Sequence, residues 1–376
     1  MSWEDVIRTY HWIIYRAEEL LEVVATNINS HGILYSHYHQ NFGDMFSSKP
    51  GHTSLLAILE TATSMQFFDP RDRIFAFAEL AKDCDDDIPV QPDYSMPFLQ
   101  TYCHFAKQYL FSANGTHLLD YVRHTEESLQ STIPSWVPRW DLGPIGSFLS
   151  RGRLDDPSKL QESSTRAPML VEVRRVKGVI ADTVAFVIDT TNNEIATIYA
   201  ETYEKWRNIS PHAPVHRIDA FLETLTRSTF GDSIKWRRDK AAYVLHLLQT
   251  TKQVAGEDYD RRVSEARGGD KMRAASFIDS MCPQYQFILT KRGYMGLAPH
   301  ITRVGDVLAI IYGCKDPSIL RKAEQKSRYQ ILGAAHVLSR KVDENQDGEI
   351  SFGSLGTEGH QDWEEWGAKD QNIYLC

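Results

Sequence analysis

Asp69-Pro70-Arg71-Asp72-Arg73, running straight into Ile74-Phe75-Ala76-Phe77-Ala78-Glu79-Leu80-Ala81, constrains what this chain can fold into more than any other stretch. Proline has no amide to donate and its fixed φ suits a first helical turn, so Pro70 fits that turn and Asp69 the cap before it. Asp72 follows three residues later, where a carboxylate can reach back as in a capping box. Asp69 and Arg73 stand one turn apart in the favourable acid-before-base order. From Ile74 to Ala81 only Glu79 is polar. A helix that is apolar on nearly all sides belongs inside a domain. The run therefore predicts a capped helix, buried together with Phe77, around which the first half packs.

The pattern on either side extends this picture. Val6, Tyr10, Ile13, Ile14, Ala17, Leu20, Leu21 and Val24 recur at helical spacing, which predicts an amphipathic helix over about residues 3 to 27. A second helix is expected over Leu55 to Phe67, and a third from near Met96 through Phe98, Tyr102, Phe105 and Tyr109. Ile133-Pro134-Ser135-Trp136-Val137-Pro138-Arg139-Trp140 cannot be a helix, because its prolines remove donors; it reads as an extended segment pinned by indoles. Residues 143–168, rich in Gly, Ser, Arg and Asp, read as a linker. Beyond them, Met169 to Asp189 reads as two strands with a turn or bulge at Lys177-Gly178. Helical character is expected over 215–228 and 238–255, an exposed charged excursion over 257–271, and strands near 286–289, 307–312 and 329–338. The fold class is α+β: a mainly helical part over 1–142, the linker, a mixed part over 169–345 with a small antiparallel sheet, and an acidic Gly-rich tail over 346–376.

Composition excludes several function classes. A chain of 376 residues with 42% hydrophobic and 11% aromatic content can build a large core. Its net charge of −9 argues against nonspecific attraction to nucleic acid or anionic membranes, and no basic run with interleaved aromatics appears. Five scattered cysteines with no Cys-x-x-Cys predict reduced thiols. The acidic start has no apolar core of a signal peptide, and no run is long enough to span a bilayer. Together these features predict a soluble, cytoplasmic protein.

Candidate chemistry is sparse. Asp343 to Phe352 fits the first part of a calcium loop, but a bidentate Glu is needed where Ser354 stands, and no helices flank it; it reads as an acidic turn. His31, His37 and His39 have no acid or thiol at ligand spacing, and Asp85-Asp86-Asp87 reads as solvated charge. Capping accounts for Asp69 and Asp72 as well as an acid/base pair would. No nucleophile elbow, zinc-protease motif or Walker loop is present. The residues themselves point to no catalytic, cofactor or metal site.

Several of these segments, in order, resemble the fungal heterokaryon-incompatibility (HET) domain proteins. They are Asp69-Pro70-Arg71-Asp72-Arg73-Ile74-Phe75-Ala76, then Pro92-Asp93-Tyr94-Ser95, then the Pro134, Trp136, Pro138 and Trp140 segment. Val176-Lys177-Gly178-Val179-Ile180-Ala181-Asp182 follows, then Gly293-Tyr294-Met295-Gly296-Leu297-Ala298-Pro299, Gly305-Asp306-Val307, Leu320-Arg321, Tyr329 and Leu332-Gly333. The family's usual opening segments, of the Tyr-x-Trp-Gly, Ile-Asp-Ala-x-Cys-Ile-Asn-Gln and Trp-Val-x-Gln-Glu types, are not found. The resemblance implies a role in fungal nonself recognition leading to cell death, with most of the N-terminal signature module missing. It also implies that any NAD-cleaving activity like that of some TIR domains would lie in that missing part. A regulatory or partner-binding role for the retained region is expected, with an unidentified protein partner and no nucleic acid or membrane. A cryptic NAD-cleaving or hydrolytic site, or a nonfunctional remnant, is the alternative. Trp363, Trp366 and the Tyr35–Phe42 loop are sensible contact anchors.

Overall fold

The longest strand organises the architecture. The structure is a computed structural model and describes residues 55–62, 67–78, 90–112, 115–142, 173–191, 193–206, 217–227, 234–252, 257–281, 285–325, 327–342, 350–356 and 367–376. Strand β1, Arg174–Asp189, is one continuous strand of 16 residues, not two. Its first residues pair with β9 (Gln371–Leu375), its middle with β4 (Val307–Ile311), and its end with β2 (Tyr285–Thr290), always antiparallel. Register shifts at Ile180/Asp182 and Val184/Phe186 bend it between those partners, as bulges do.

Gly178 marks the hand-over and not a turn, since it pairs with both Gln371 and Ile311. A Cβ there would lie 2.3 Å from the Ile310 carbonyl oxygen, so only glycine lets β1 and β4 come this close.

From β4 the ladder continues through β5 (Ser318–Lys322) and β6 (Arg328–Ala334) to β9 and back to β1, closing a five-stranded barrel. Only the β6–β9 step is parallel. The other end of β1 carries an arm of β2, β3 (Met295–Pro299), β7 (His336–Val342) and β8 (Ile350–Ser354). The α+β class stands, but the sheet is a closed barrel with additional strands and not a small antiparallel sheet. The physical reason is that short, Gly-bordered strands such as β3, β5, β8 and β9 complete a ladder that their own sequences barely announce. Two of them, β8 and β9, come from the stretch read as an acidic tail.

Two groups of helices flank the sheet, one packed on the barrel and the other on the arm. Among the described residues, α1 (Leu55–Thr61), α2 (Asp72–Ala78) and α3 (Phe98–Leu110) precede the 3-10 turn Gly115–Tyr121 and the short α4 (Glu126–Leu129). Leu56, Ile74, Tyr102, Tyr109, Leu119 and Trp140 share one apolar cluster with residues from all five barrel strands, such as Val176, Val307, Leu320, Ile331 and Ile373. The first and second halves of the chain thus share a core. Helix α2 is one-sided: Ile74 and Phe75 are buried, Ala76 is exposed and Phe77 is only half-buried, packing edge-on to Phe67. The expectation of burial all round, including at Phe77, is corrected by that single inward face.

The other helical layer comprises α5 (Ile195–Trp206), α6 (Arg217–Thr226), α7 (Ile234–Thr250), α8 (Glu257–Glu265) and α9 (Lys271–Met281). Trp206, Phe221, Leu225 and Leu247 pack there with Phe287 and Leu297 of β2 and β3. Helix α8 lies where an exposed excursion was expected. The segment is largely exposed as expected, but Arg262 is buried and makes a two-pronged contact with Asp219 of α6 (3.1 and 2.7 Å).

Candidate functional site

The segments that lead the family resemblance converge on one surface knot. Asp69 makes the expected cap-type bond, its Oδ1 accepting the Arg71 amide (2.9 Å) in the turn that leads into α2, and both its oxygens also take the Arg71 guanidinium (Nε to Oδ1 2.9 Å, Nη2 to Oδ2 2.6 Å). Arg71 Nη1 then donates to the carbonyls of Tyr94 (2.5 Å) and Met96 (2.9 Å), clamping the Pro92–Ser95 segment from 23 residues away. Asp72 begins α2 and accepts the Tyr94 hydroxyl (2.6 Å), so it is not the reaching-back member of a capping box. The Arg71 guanidinium lies 5.2 Å from the Tyr94 ring centre, and Phe75 meets the same ring edge-on. Tyr102 donates to the Pro70 carbonyl (2.7 Å), fastening the knot to α3, and Asp93 folds its own turn by accepting Ser95 N–H and O–H. Hydrogen bonding from Arg71 holds the Asp69 carboxyl below its ordinary range, and hydrogen bonding to Asp72 holds the Tyr94 phenol above its own. Each carboxylate thus has a fixed partner, the opposite of a poised acid/base pair. The knot presents two rings to solvent, Phe68 fully exposed and Tyr94 half-exposed, beside the exposed Pro92, Asp93 and Ser95.

The tryptophan–proline segment anchors the knot from below. Trp140 meets Tyr102 and Phe105 edge-on, each at 5.4 Å, and Trp136 is buried beside it. Between Pro134 and Trp136, Ser135 is a hub that sequence reasoning passed over. Its amide donates to the Cys376 carbonyl (2.9 Å), its hydroxyl donates to the same oxygen, and that hydroxyl accepts Ile331 N–H (3.0 Å). The Ser135 carbonyl lies 2.7 Å from His124 Nε2, so that nitrogen carries the proton while Nδ1 faces the Ser128 hydroxyl (3.0 Å). Burial pushes His124 down to about 4, keeping it neutral. The segment thereby ties α4 and the barrel strands β6 and β9 together. Pro134 and Pro138 flank this hub on either side.

The remaining family-motif residues are structural as well. Gly293 takes a positive φ in the β2–β3 hairpin, and a Cβ at Gly296 would meet the His336 carbonyl oxygen at 2.8 Å. Pro299 ends β3, and Gly305, at φ 96°, donates to the Val184 carbonyl. Asp306 receives Arg321 through two bonds of 3.0 and 2.9 Å, while Arg321 and Arg303 both reach Glu126 of α4. That ion network joins two motif segments 15 residues apart to the helical region.

A second constellation had no sequence signal. Asp316 is buried next to the start of β5; its Oδ1 accepts the Ser354 hydroxyl (3.1 Å), and its Oδ2 has no hydrogen-bond partner among the described residues. Ser318 pairs with Ala334, and Ala335 N–H donates to the Pro317 carbonyl, so Asp316 and His336 both lie just beyond the same end of the β5–β6 ladder. His336 Nε2 is likewise without a partner there. Burial pushes Asp316 up to about 7, with the Asp120 charge adding to it, and burial pushes His336 down to about 3. His336 is therefore neutral at neutral pH, while Asp316 is about half ionised there. Both side chains are buried. Ser354, the residue standing where a calcium loop needs Glu, lies on β8 and serves Asp316.

Asp343 to Gly348, His31, His37, His39, Asp85 to Asp87, Trp363, Trp366 and the Tyr35–Phe42 loop lie outside the described residues. Among those described, no group of three or more His, Cys, Asp or Glu is placed to hold a metal ion, and Cys103, Cys314 and Cys376 are free thiols. No helix described is long and apolar enough to cross a membrane.

Neither a curated protein nor a solved structure matches the chain. Residues 198–353 match the family described as the Het-6 beta-barrel domain. That interval contains β2 to β7 and most of β8, while β1 and β9, which complete the barrel, lie outside it. The match fits a HET-related family.

Proposed function

We propose that this chain acts in heterokaryon incompatibility, the fungal nonself response, and that its part is to engage a protein partner and not to transform a substrate. The match to the Het-6 barrel supports the family half of this reading. The observation that carries the binding half is the Phe68–Tyr94 tip of the motif knot: two exposed rings on a base fixed by the Asp69–Arg71 pair, the Arg71 bonds to two carbonyls and the Tyr94–Asp72 bond. Aromatic side chains on a preorganised base are the usual anchors of protein contacts, because little freedom is lost when they dock. The knot's acids are committed to that base, which supports a contact surface over a reaction centre. The partner is a protein, with neither nucleic acid nor membrane required, and the setting is cytoplasmic.

Phe68 makes no packing contact that its removal would expose, so Phe68→Ala isolates the surface from the fold. Expressed in a fungal host that mounts the incompatibility response, the wild-type chain is expected to trigger growth arrest and Phe68→Ala to lose it. The purified variant should keep its melting temperature within about 2 °C of wild type. Arrest by the variant at wild-type strength would contradict the proposal.

A further inference from the structure

On a chain of net charge −9, the face formed by α7 and the turn from α8 to α9 is basic. Lys235, Arg237, Arg238, Arg267 and Lys271 are all exposed there. The turn is seated directly on α7: a Cβ at Gly269 would lie 2.1 Å from the Arg238 carbonyl oxygen, and the Asp270 amide donates to Asp239 (2.7 Å). Lys271 Nζ is 3.5 Å from His246 Nδ1 of α7. Lys235 and Arg238, about one turn apart on α7, thus stand near Arg267 and Lys271 of the turn, and Arg237 lies further round the exposed arc of the same helix.

Five acids of this region are already committed, while Asp260 and Asp279 remain exposed. Asp239 is buried and held by Arg273 (2.5 and 2.8 Å), Asp219 takes Arg262, Glu223 takes Lys240, and Glu265 takes Arg261. Asp270 caps α9 by accepting the Met272 and Arg273 amides. None of the five exposed cations forms an ion pair among the described residues. The fold spends its acids on structural arginines and lysines and leaves these five facing solvent.

We propose that this face is a docking surface for an acidic, Asp/Glu-rich protein segment. Charge complementarity selects that chemistry, since a cluster of unpaired like charges is attracted to its opposite and repels its own kind. Two other anionic partners fit less well. Helices α7 and α9 run antiparallel, as the Trp236–Phe277 and Asp239–Arg273 contacts show, so the exposed Ile234 and Met272 stand at opposite ends of the patch. They form no single apolar tip for insertion into a bilayer. Trp236 is half-buried against Phe277, which leaves no open ring on which a nucleobase could stack. The surface is separate from the Phe68–Tyr94 tip and does not depend on it.

The test uses the full-length purified chain and a fluorescent Asp/Glu-rich peptide of about twelve residues, with binding read by anisotropy at low salt and at about 0.3 M salt. Binding is expected at low salt and should weaken at high salt. Lys235→Glu/Arg237→Glu/Arg238→Glu should weaken it by about tenfold or more, while a circular-dichroism melt confirms an intact fold. Phe68→Ala should bind the peptide as wild type does, which separates this surface from the one proposed above. No anisotropy change, equal binding by the triple variant, or tighter binding to an oligonucleotide or to vesicles containing phosphatidylserine would each overturn the proposal.

Discussion

Asp316 shows how much one residue's chemistry here is set by enclosure. Its carboxyl has one hydroxyl partner, Ser354, and otherwise faces groups that only partly offset burial: Arg227 and Lys315 favour the charged form, and Asp120 disfavours it. The buried His336 is kept neutral by its own enclosure and by Arg227. A carboxyl whose folded pKa is raised stabilises the protein at low pH and loses that contribution as pH rises. For Asp316 the loss runs from about 4, the ordinary aspartate value, to about 7. The two buried histidines act in the opposite sense: their folded values, about 4 for His124 and about 3 for His336, lie below the ordinary one, so their contribution is lost as pH falls below about 6.5. Asp316→Asn removes the first slope and leaves the second. Its melting temperature relative to wild type is therefore expected to rise from pH 4.5 to about pH 7 and level off by pH 8, by an amount equivalent to a few kcal/mol. A difference that stays constant across that range would show that Asp316 does not titrate in the folded state. Nothing in the sequence announced the Asp316–Ser354 bond, because its partners stand 38 residues apart in the chain.

At the scale of elements, legibility followed periodicity. Helix α3 and strands β2, β4 and β6 lie where apolar spacing predicts them, because each buries a face that its own residues define. Expectation failed where a neighbour supplies the reason. Gly178 reads as a turn in isolation, yet it exists so that β1 can pass the Ile310 carbonyl. Helix α8 reads as solvated charge, yet Arg262 is buried by a partner 43 residues away. Asp69 keeps its cap-type bond to the Arg71 amide, but Asp72, read as reaching back to that cap, accepts the Tyr94 hydroxyl from 22 positions away. Two glycines provide a paired test of the barrel's closure. Gly178→Ala places a methyl against backbone that cannot step aside without parting β1 from β4, which should cost about 3 kcal/mol or more. Gly305→Ala, at φ 96° with open space around it, pays only for conformational strain, about 1 kcal/mol. Chemical denaturation would compare the two, and an equal or reversed order would argue against the close β1–β4 crossing.

The whole molecule is organised around a shared core, with the helices before β1 and all five barrel strands filling one apolar cluster. On that body the family-motif residues do mechanical work. Arg71 clamps one loop, Ser135 holds the residue after β9, and the Asp306–Arg321–Glu126 network braces α4 against the barrel. The central claim is that these residues build a platform for contact and not a reaction centre. Incubation of the purified chain with NAD, followed by quantification of the remaining cofactor, tests it most directly. Asp72→Asn serves as the control, because the amide oxygen can still accept the Tyr94 hydroxyl and keep the knot folded. The account predicts NAD loss no faster than in buffer for both proteins. NAD consumption by the wild type that disappears in a fully folded Asp72→Asn variant would contradict it.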